Sequence, residues 1–404
     1  MLCIFRNRSN ELSSIDMENK SPALTFDIKE DGWETSEGFI MRQIEMPILD
    51  EKKNPEDATH VILKINYAGV CGTDRGIFYR AAFRDLIHSS LEKQGQTTRI
   101  LGHEFLGEVV WQGSMVSHLY NISKGMTVSG DSHVTCGNCY QCKIGENNVC
   151  SNEQILGISI NGIFAPYIKI PAKNLWPVDV AKVRPEIAAM YDPLGNAVHA
   201  TTKTDVRGKT VAVFGCGAIG LFSIALLKHF GAAQIIAVDM NEKNLAMAHE
   251  LGAHQVISLT HSRELVSGYN VDVVAHIMEL TGGRGVDVAM EMAGPNSSVN
   301  NALESARRGG QVILFGLKDG DFTIPKFSRV ITKGLTLHGI IGRHIFETWQ
   351  TTDSILSDSS NGVQDKIWKV ILKEGKGTIL PFSDYNNDSF EKAMNEHPKI
   401  IFKM

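Results

Sequence analysis

The chain has 404 residues, 43 % apolar and 21 % charged, enough to bury two or three domain cores and far from a disordered composition. Forty Lys and Arg stand against 45 Asp and Glu, a formal charge of −5, so no polybasic face for nucleic acid or an anionic membrane is expected. No apolar run reaches the about 18 residues of a membrane span, and residues 1–20 lack the apolar core and cleavage site of a secretion signal. These features together imply a cytoplasmic chain.

Residues 1–38 are polar and read as an N-terminal extension, unstructured before Met17. From about Phe39 to Gly130 come short β-branched and glycine-rich runs, such as Val61-Ile-Leu-Lys-Ile65 and Gly107-Glu-Val-Val110, that predict strands and turns. Phe78, Ala82, Leu86 and Leu91 interleave with Arg80, Arg84, Asp85 and Glu92 at amphipathic helical spacing, and Gly95 would stop that helix.

From Thr210 the period changes. Val211-Ala-Val-Phe214 reads as a buried strand, followed by a glycine turn, a helix to Phe230 and the strand Ile235-Ile-Ala-Val238. Helices at 245–251, 273–280 and 297–306 then alternate with strands at 256–257, 286–290 and 311–315, which predicts a doubly wound parallel sheet. The tail from about Phe346 carries helical stretches near Ile355, Ile367 and Phe390.

Seven cysteines are present, and four fall within fifteen residues: Cys136, Cys139, Cys142 and Cys150. In a large chain without a leader, such a lobe favours metal over disulfides. Four thiolates close a zinc tetrahedron and leave no position for water, so the site is structural. Four unliganded thiols, or a zinc module on nucleic acid, are the bland readings; no dense basic face supports the latter.

Gly215-Cys-Gly217-Ala218-Ile219-Gly220 follows a strand and opens a helix, the context in which this spacing binds a dinucleotide. Gly215 makes the turn, Gly217 lets the backbone approach a pyrophosphate at the helix N-terminus, and Gly220 lets helix and strand pack. Asp239 ends the next strand, where a carboxylate accepts ribose hydroxyls and repels a 2′-phosphate, so NAD is expected rather than NADP. Lys243, also in the expected cofactor set, lies close by and counts slightly the other way, toward a 2′-phosphate.

A third group is dispersed: Cys71-Gly-Thr73-Asp74, Gly102-His103-Glu104 and Asp192-Pro-Leu-Gly-Asn196. Cysteine, histidine and a carboxylate suit a catalytic zinc with one open position. Singly, His103 reads equally as a satisfied core histidine and Cys71 as a small buried hydrophobe.

In that order, cysteine, Gly-His-Glu, four-cysteine lobe and dinucleotide fingerprint, the chain resembles the zinc-containing medium-chain alcohol dehydrogenase superfamily from about Phe39 to its end. Within it, the chain is similar to the L-threonine 3-dehydrogenase group through residues 102–110, 192–199 and 339–349. The resemblance implies a Rossmann NAD-binding domain (196–342) inserted in a GroES-like β-rich catalytic domain (39–195 and 343–404), assembled as a homotetramer or homodimer. It implies two zincs per chain: a structural one on the four lobe cysteines and a catalytic one on Cys71, His103 and a carboxylate, Glu104 or Asp192. It also implies that Thr73 passes on the proton of a small alcohol substrate and that Arg343 is a candidate partner for an amino-acid carboxylate.

The chain departs from the family where a relay histidine is usual, at Gly76. Arg75 there matches archaeal glucose dehydrogenases, and residues 78–98 are an insertion beside the expected pocket. Asn244 stands where a basic residue is common. A polyol or sugar dehydrogenase is therefore the alternative enzyme, with Arg75, Arg80 and Arg84 as partners for an anionic or polyhydroxy substrate or simply a solvated face. A non-catalytic NAD-binding protein on the same fold is the alternative of another class.

Overall fold

The computed structural model describes residues 20–260, 265–266, 268–317 and 320–404. The segment before Met17 lies outside the described residues.

Six parallel strands form the dinucleotide-type sheet, in the spatial order Gln255–Ser258, Gln234–Asp239, Thr210–Phe214, Val286–Glu291, Ala306–Leu314, Thr336–Gly339. This is the doubly wound order, which reverses direction between Thr210–Phe214 and Val286–Glu291 and opens a ligand crevice at the strand C-termini there. Alternation along each strand sends Val211, Val213, Ile235, Ala237, Val288 and Met290 into the core on one face. Ala212, Phe214, Ile236, Val238 and Ala289 face the core on the other. Both faces are buried, which is why these strands read as continuous apolar runs rather than alternating ones.

A second sheet carries the strands Leu175–Pro177, Thr127–Gly130, Glu104–Gln112, His60–Val70, Ile400–Lys403 and Ile379–Pro381, with Tyr167–Pro171 also pairing on His60–Val70. Its last two strands come from the C-terminal tail, which thus returns to the first half of the chain. Helix Tyr191–Thr202 joins the two halves and runs through the boundary expected at residue 195.

The stretch expected as an extension is structured in its described part. Lys20–Asp27 pairs with Ile40–Glu45 and with Thr98–Ile100 in a separate three-stranded sheet. Helix Arg84–Gln94 ends at Gly95, but it does not begin at Phe78. Phe78 closes the preceding helix Gly72–Phe78, and the turn between the two places the non-glycine residues Arg80 and Phe83 at φ +55° and +70°.

The insertion packs on the N-terminal strand and the loop after it. Arg80 stacks on Phe26 at 4.7 Å and on Trp33 at 5.6 Å, and His88 joins the same rings. N-terminal strand and insertion therefore support each other. No helix of the described residues is long and apolar enough to cross a membrane.

Candidate active site

Three strand ends converge on the first cluster. Cys71 follows directly on the strand His60–Val70. Glu104 opens the neighbouring strand opposite Gly69, and Ile400 pairs with Val70 on the other side, bringing Lys399 to the same point. Gly102 sits at φ +82°, and a Cβ there would strike the Phe164 ring, so only glycine turns the chain to deliver His103.

Cys71, His103 and Glu104 each offer a ligand atom, and these atoms all lie within 4.8 Å of one another. His103 and Glu104 are buried and Cys71 is half-buried. Glu104 Oε1 is buried without a hydrogen-bond partner, an acceptor that a bound cation would satisfy.

The charges agree. Asp74, Glu104, Asp131 and Asp192 are four buried carboxyls, against the two buried cations Lys399 and Arg343. Burial pushes the Asp74 carboxyl up, against the lowering effect of His103 and the Cys71 N–H. Burial alone would lower the proton affinity of His103, but Asp74 and Cys71 outweigh it and raise the imidazole to about 10. The residues present fit a divalent zinc.

Asp74 went unassigned in the sequence reading. Its Oδ2 accepts the Cys71 N–H at 2.8 Å and its Oδ1 lies 3.7 Å from His103 Nδ1, too long for a hydrogen bond but close enough to orient the ring electrostatically. Thr73 lies beside the cluster, its hydroxyl 3.8 Å from Cys71 Sγ. A Cβ on Gly76 would meet Ala82 at 3.1 Å, so this position faces the insertion turn.

Asp192 does not join the cluster. It is ion-paired through Oδ2 with Arg343, which holds its carboxyl below the ordinary range together with His103, against the opposing effect of burial.

Arg343 is itself buried and engaged. It donates to Asp131 through Nε at 2.7 Å and Nη2 at 2.8 Å, to Ser132 at 2.8 Å and to Asn196 at 3.0 Å. Trp349 Nε1 also donates to Asp131, at 2.9 Å. Arg343 thus anchors the C-terminal loop and Asp192 rather than presenting a free guanidinium to a substrate. The other arginine candidates face the protein's own groups, Arg84 only in an exposed ion pair. Arg75 donates to Met394 and Asn395, Arg80 to Ile77, Ser36 and Gly38, and Arg84 pairs with Glu34.

The four lobe cysteines form the second cluster, again with ligand atoms within 4.8 Å of one another. The Cys150 sulfur lies 3.5 Å from that of Cys136 and 3.9 Å from that of Cys139, bracketing the ~3.8 Å of a thiolate tetrahedron with ~2.3 Å zinc–sulfur bonds. Backbone N–H groups of Asn138 and Cys139 lower the Cys136 thiol to about 6, while burial pushes Cys142 up to about 12. Four sulfurs at these separations fit a closed zinc site. The described cysteines are all free of disulfides.

In the dinucleotide crevice Gly215 takes φ +99°, and a Cβ on Gly220 would strike the Gly215 carbonyl, as tight helix–strand packing requires. Nothing lies within 4 Å of a Cβ built on Gly217, whose backbone is thus open to a phosphate at the uncapped N-terminus of helix Ala218–His229. Asp239 closes the strand Gln234–Asp239 and accepts the Cys216 N–H through Oδ2 and the Asn241 N–H through Oδ1 at 2.7 Å. Its carboxylate is thereby held over the fingerprint loop that carries Ala218 and Ile219. Lys243 is exposed in the first turn of helix Glu242–Leu251. The crevice fits a dinucleotide.

Residues 57–180 match the model of the alcohol dehydrogenase GroES-like domain and residues 218–358 that of the zinc-binding dehydrogenases. An L-threonine 3-dehydrogenase of Bacillus subtilis (strain 168) is 34 % identical over 322 residues, 80 % of this chain and 85 % of that one. One of Pyrococcus furiosus is 36 % identical over 345 residues, 85 % of this chain and 91 % of that one. The crystal structure of 2R,3R-butanediol dehydrogenase from Bacillus subtilis superposes with a TM-score of 0.75 over 95 % of this chain and 99 % of that one, at 24 % identity, a likeness of fold. With both halves of its fold, two metal-ligand clusters and relatives along most of its length, the chain belongs to the zinc-containing medium-chain alcohol dehydrogenase superfamily, as an oxidoreductase that uses zinc and a nicotinamide cofactor.

Proposed function

We propose that the chain oxidises the secondary hydroxyl of L-threonine or a closely related amino alcohol, with NAD as hydride acceptor. The convergence of Cys71, His103 and Glu104 on one point carries the chemistry, and the L-threonine 3-dehydrogenase relatives carry the substrate. Cys71, His103 and Glu104 would hold the catalytic zinc, which supplies Lewis-acid polarisation of the substrate hydroxyl. Asp74 orients His103 and ties the Cys71 backbone. Thr73 takes the hydroxyl proton and passes it toward solvent, by water where Gly76 provides no side chain. The fingerprint Gly215–Gly220 and Asp239 would hold NAD by its pyrophosphate and ribose, and the bound nicotinamide would supply the hydride acceptor. The lobe cysteines would hold the structural zinc.

A neutral polyol is the second reading. The engagement of Arg343 with Asp131, Asp192, Ser132 and Asn196 leaves the candidate partner for an amino-acid carboxylate already occupied. Initial rates of NAD reduction with L-threonine, sorbitol, glucose and 2,3-butanediol decide between them. A kcat/KM for L-threonine at least about tenfold above the others is expected, and a polyol preference overturns the amino-alcohol reading.

Asp239→Asn should weaken NADH binding about 10- to 100-fold, the loss of charge-assisted hydrogen bonds to a ribose, and narrow the preference over NADPH. Fluorescence titration with both cofactors checks it, and unchanged NADH affinity would contradict the role of Asp239.

We further propose that the chain assembles as a dimer or tetramer through Thr336–Gly339, the outermost strand of the parallel sheet, with one edge unpaired among the described residues. Beside it Leu337 and Ile341 are partly exposed and Phe327 and Ile331 more than half so, an apolar strip that a second copy covers about a two-fold axis. Leu337→Lys should convert the assembly to smaller species in sedimentation, and an already monomeric parent chain would contradict the proposal. A cytoplasmic location suits the free lobe thiols, and cell fractionation checks it.

A further inference from the structure

The two oxygens of Glu104 have different fates. Oε1 is buried without a hydrogen-bond partner and is the oxygen left free for the cluster to which Glu104 gives one carboxylate oxygen beside Cys71 and His103. Oε2 is ion-paired with Lys399, whose Nζ also donates to the Val70 carbonyl at 2.8 Å. Both side chains are at most 1 % exposed. Lys399 is placed by the last strand of the chain, since Ile400 pairs with Val70 and the ammonium can only reach back over that strand end. Gly69 beside it is required for room, because a Cβ there would meet Glu104 Oε2.

A catalytic zinc takes three protein donors and keeps one position for substrate. A carboxylate can give a cation one oxygen or two, and the second would fill that position. We infer that Lys399 is a positioning residue: it ties down Oε2 by a charge-assisted hydrogen bond, so that Glu104 gives only Oε1 and the substrate position stays open. This rests on the proposed metal site at Cys71, His103 and Glu104, and goes beyond it by assigning a task to a residue remote in sequence that is engaged by Glu104 and the Val70 carbonyl.

The test uses the full chain with cobalt(II) in place of zinc, and imidazole as a small probe ligand read by visible absorption. The parent chain should take up a second cobalt, whose spectrum shifts on adding imidazole. Lys399→Met should hold cobalt at least as well, yet bind imidazole on the order of tenfold more weakly and show a raised KM for the alcohol. Lys399→Arg should restore imidazole binding. If Lys399→Met does not fold, Lys399→Gln, which keeps a donor but loses the charge, is read in the same way.

Imidazole binding unchanged in the neutral variant overturns the inference. So does loss of the second cobalt from a folded variant, since Lys399 would then build the site rather than keep it open. A parent chain that takes up no second cobalt overturns the metal-site reading itself and this inference with it.

Discussion

Cys71→Ser is expected to abolish NAD reduction while leaving NADH binding intact. Serine is close in size but a far poorer donor to zinc than a thiolate. The remaining Glu104 and His103 cannot close a three-donor site alone, and the Asp192 carboxylate is committed to Arg343. Loss of the Lewis acid removes several kcal/mol of barrier lowering, so turnover should fall on the order of a thousandfold or more. Cys71 packs beside Gly72 and Asp74 at a strand end, not in the crevice beneath Gly217, so cofactor titration should be little changed. Turnover within about tenfold of the parent would remove Cys71 from the catalytic metal.

Cys139→Ser should have a large effect of another kind. The lobe buries little of its own: Val134, Asn148 and Cys150 are its buried residues near the sulfurs. Without metal no apolar core holds it, and the order of 10 kcal/mol that a structural zinc contributes in small modules is lost. The consequence reaches the active site. Asn147 and Asn148 donate to the carbonyls of Ile345 and Ile341 at 3.2 and 3.1 Å, bracketing Arg343. Loosening the lobe therefore loosens the loop that anchors Asp192. One zinc per chain should be lost, the thermal transition should fall by about 5 °C or more, and activity should drop although no lobe cysteine touches the first cluster. A variant with parental stability and activity would show the lobe to be independent of the site.

What could be read in the sequence was what short spacings encode. The lobe and the fingerprint lie within fifteen residues each, and their geometry follows from turn and helix periods. The parallel sheet was legible because both its faces are buried, but its sixth strand, Thr336–Gly339, was not, since an exposed edge strand carries little apolar signal. The partners that finish the active site are long-range. Asp131 meets Arg343 across 212 residues and Glu104 meets Lys399 across 295, pairings that no local pattern announces. The turn at Arg80 and Phe83 carries no sequence signal because its positive-φ residues are not glycine. Arg343, a substrate partner by resemblance, belongs to the protein's own charge network.

Two metal-ligand clusters of different kind, one closed and one open, are expected to hold zinc. Counting zinc in the freshly purified chain, by metal analysis against protein concentration, tests it most directly. Two zincs per chain in the parent and one in Cys71→Ser are expected. A parent chain with a single zinc, still able to reduce NAD with an alcohol, would contradict it.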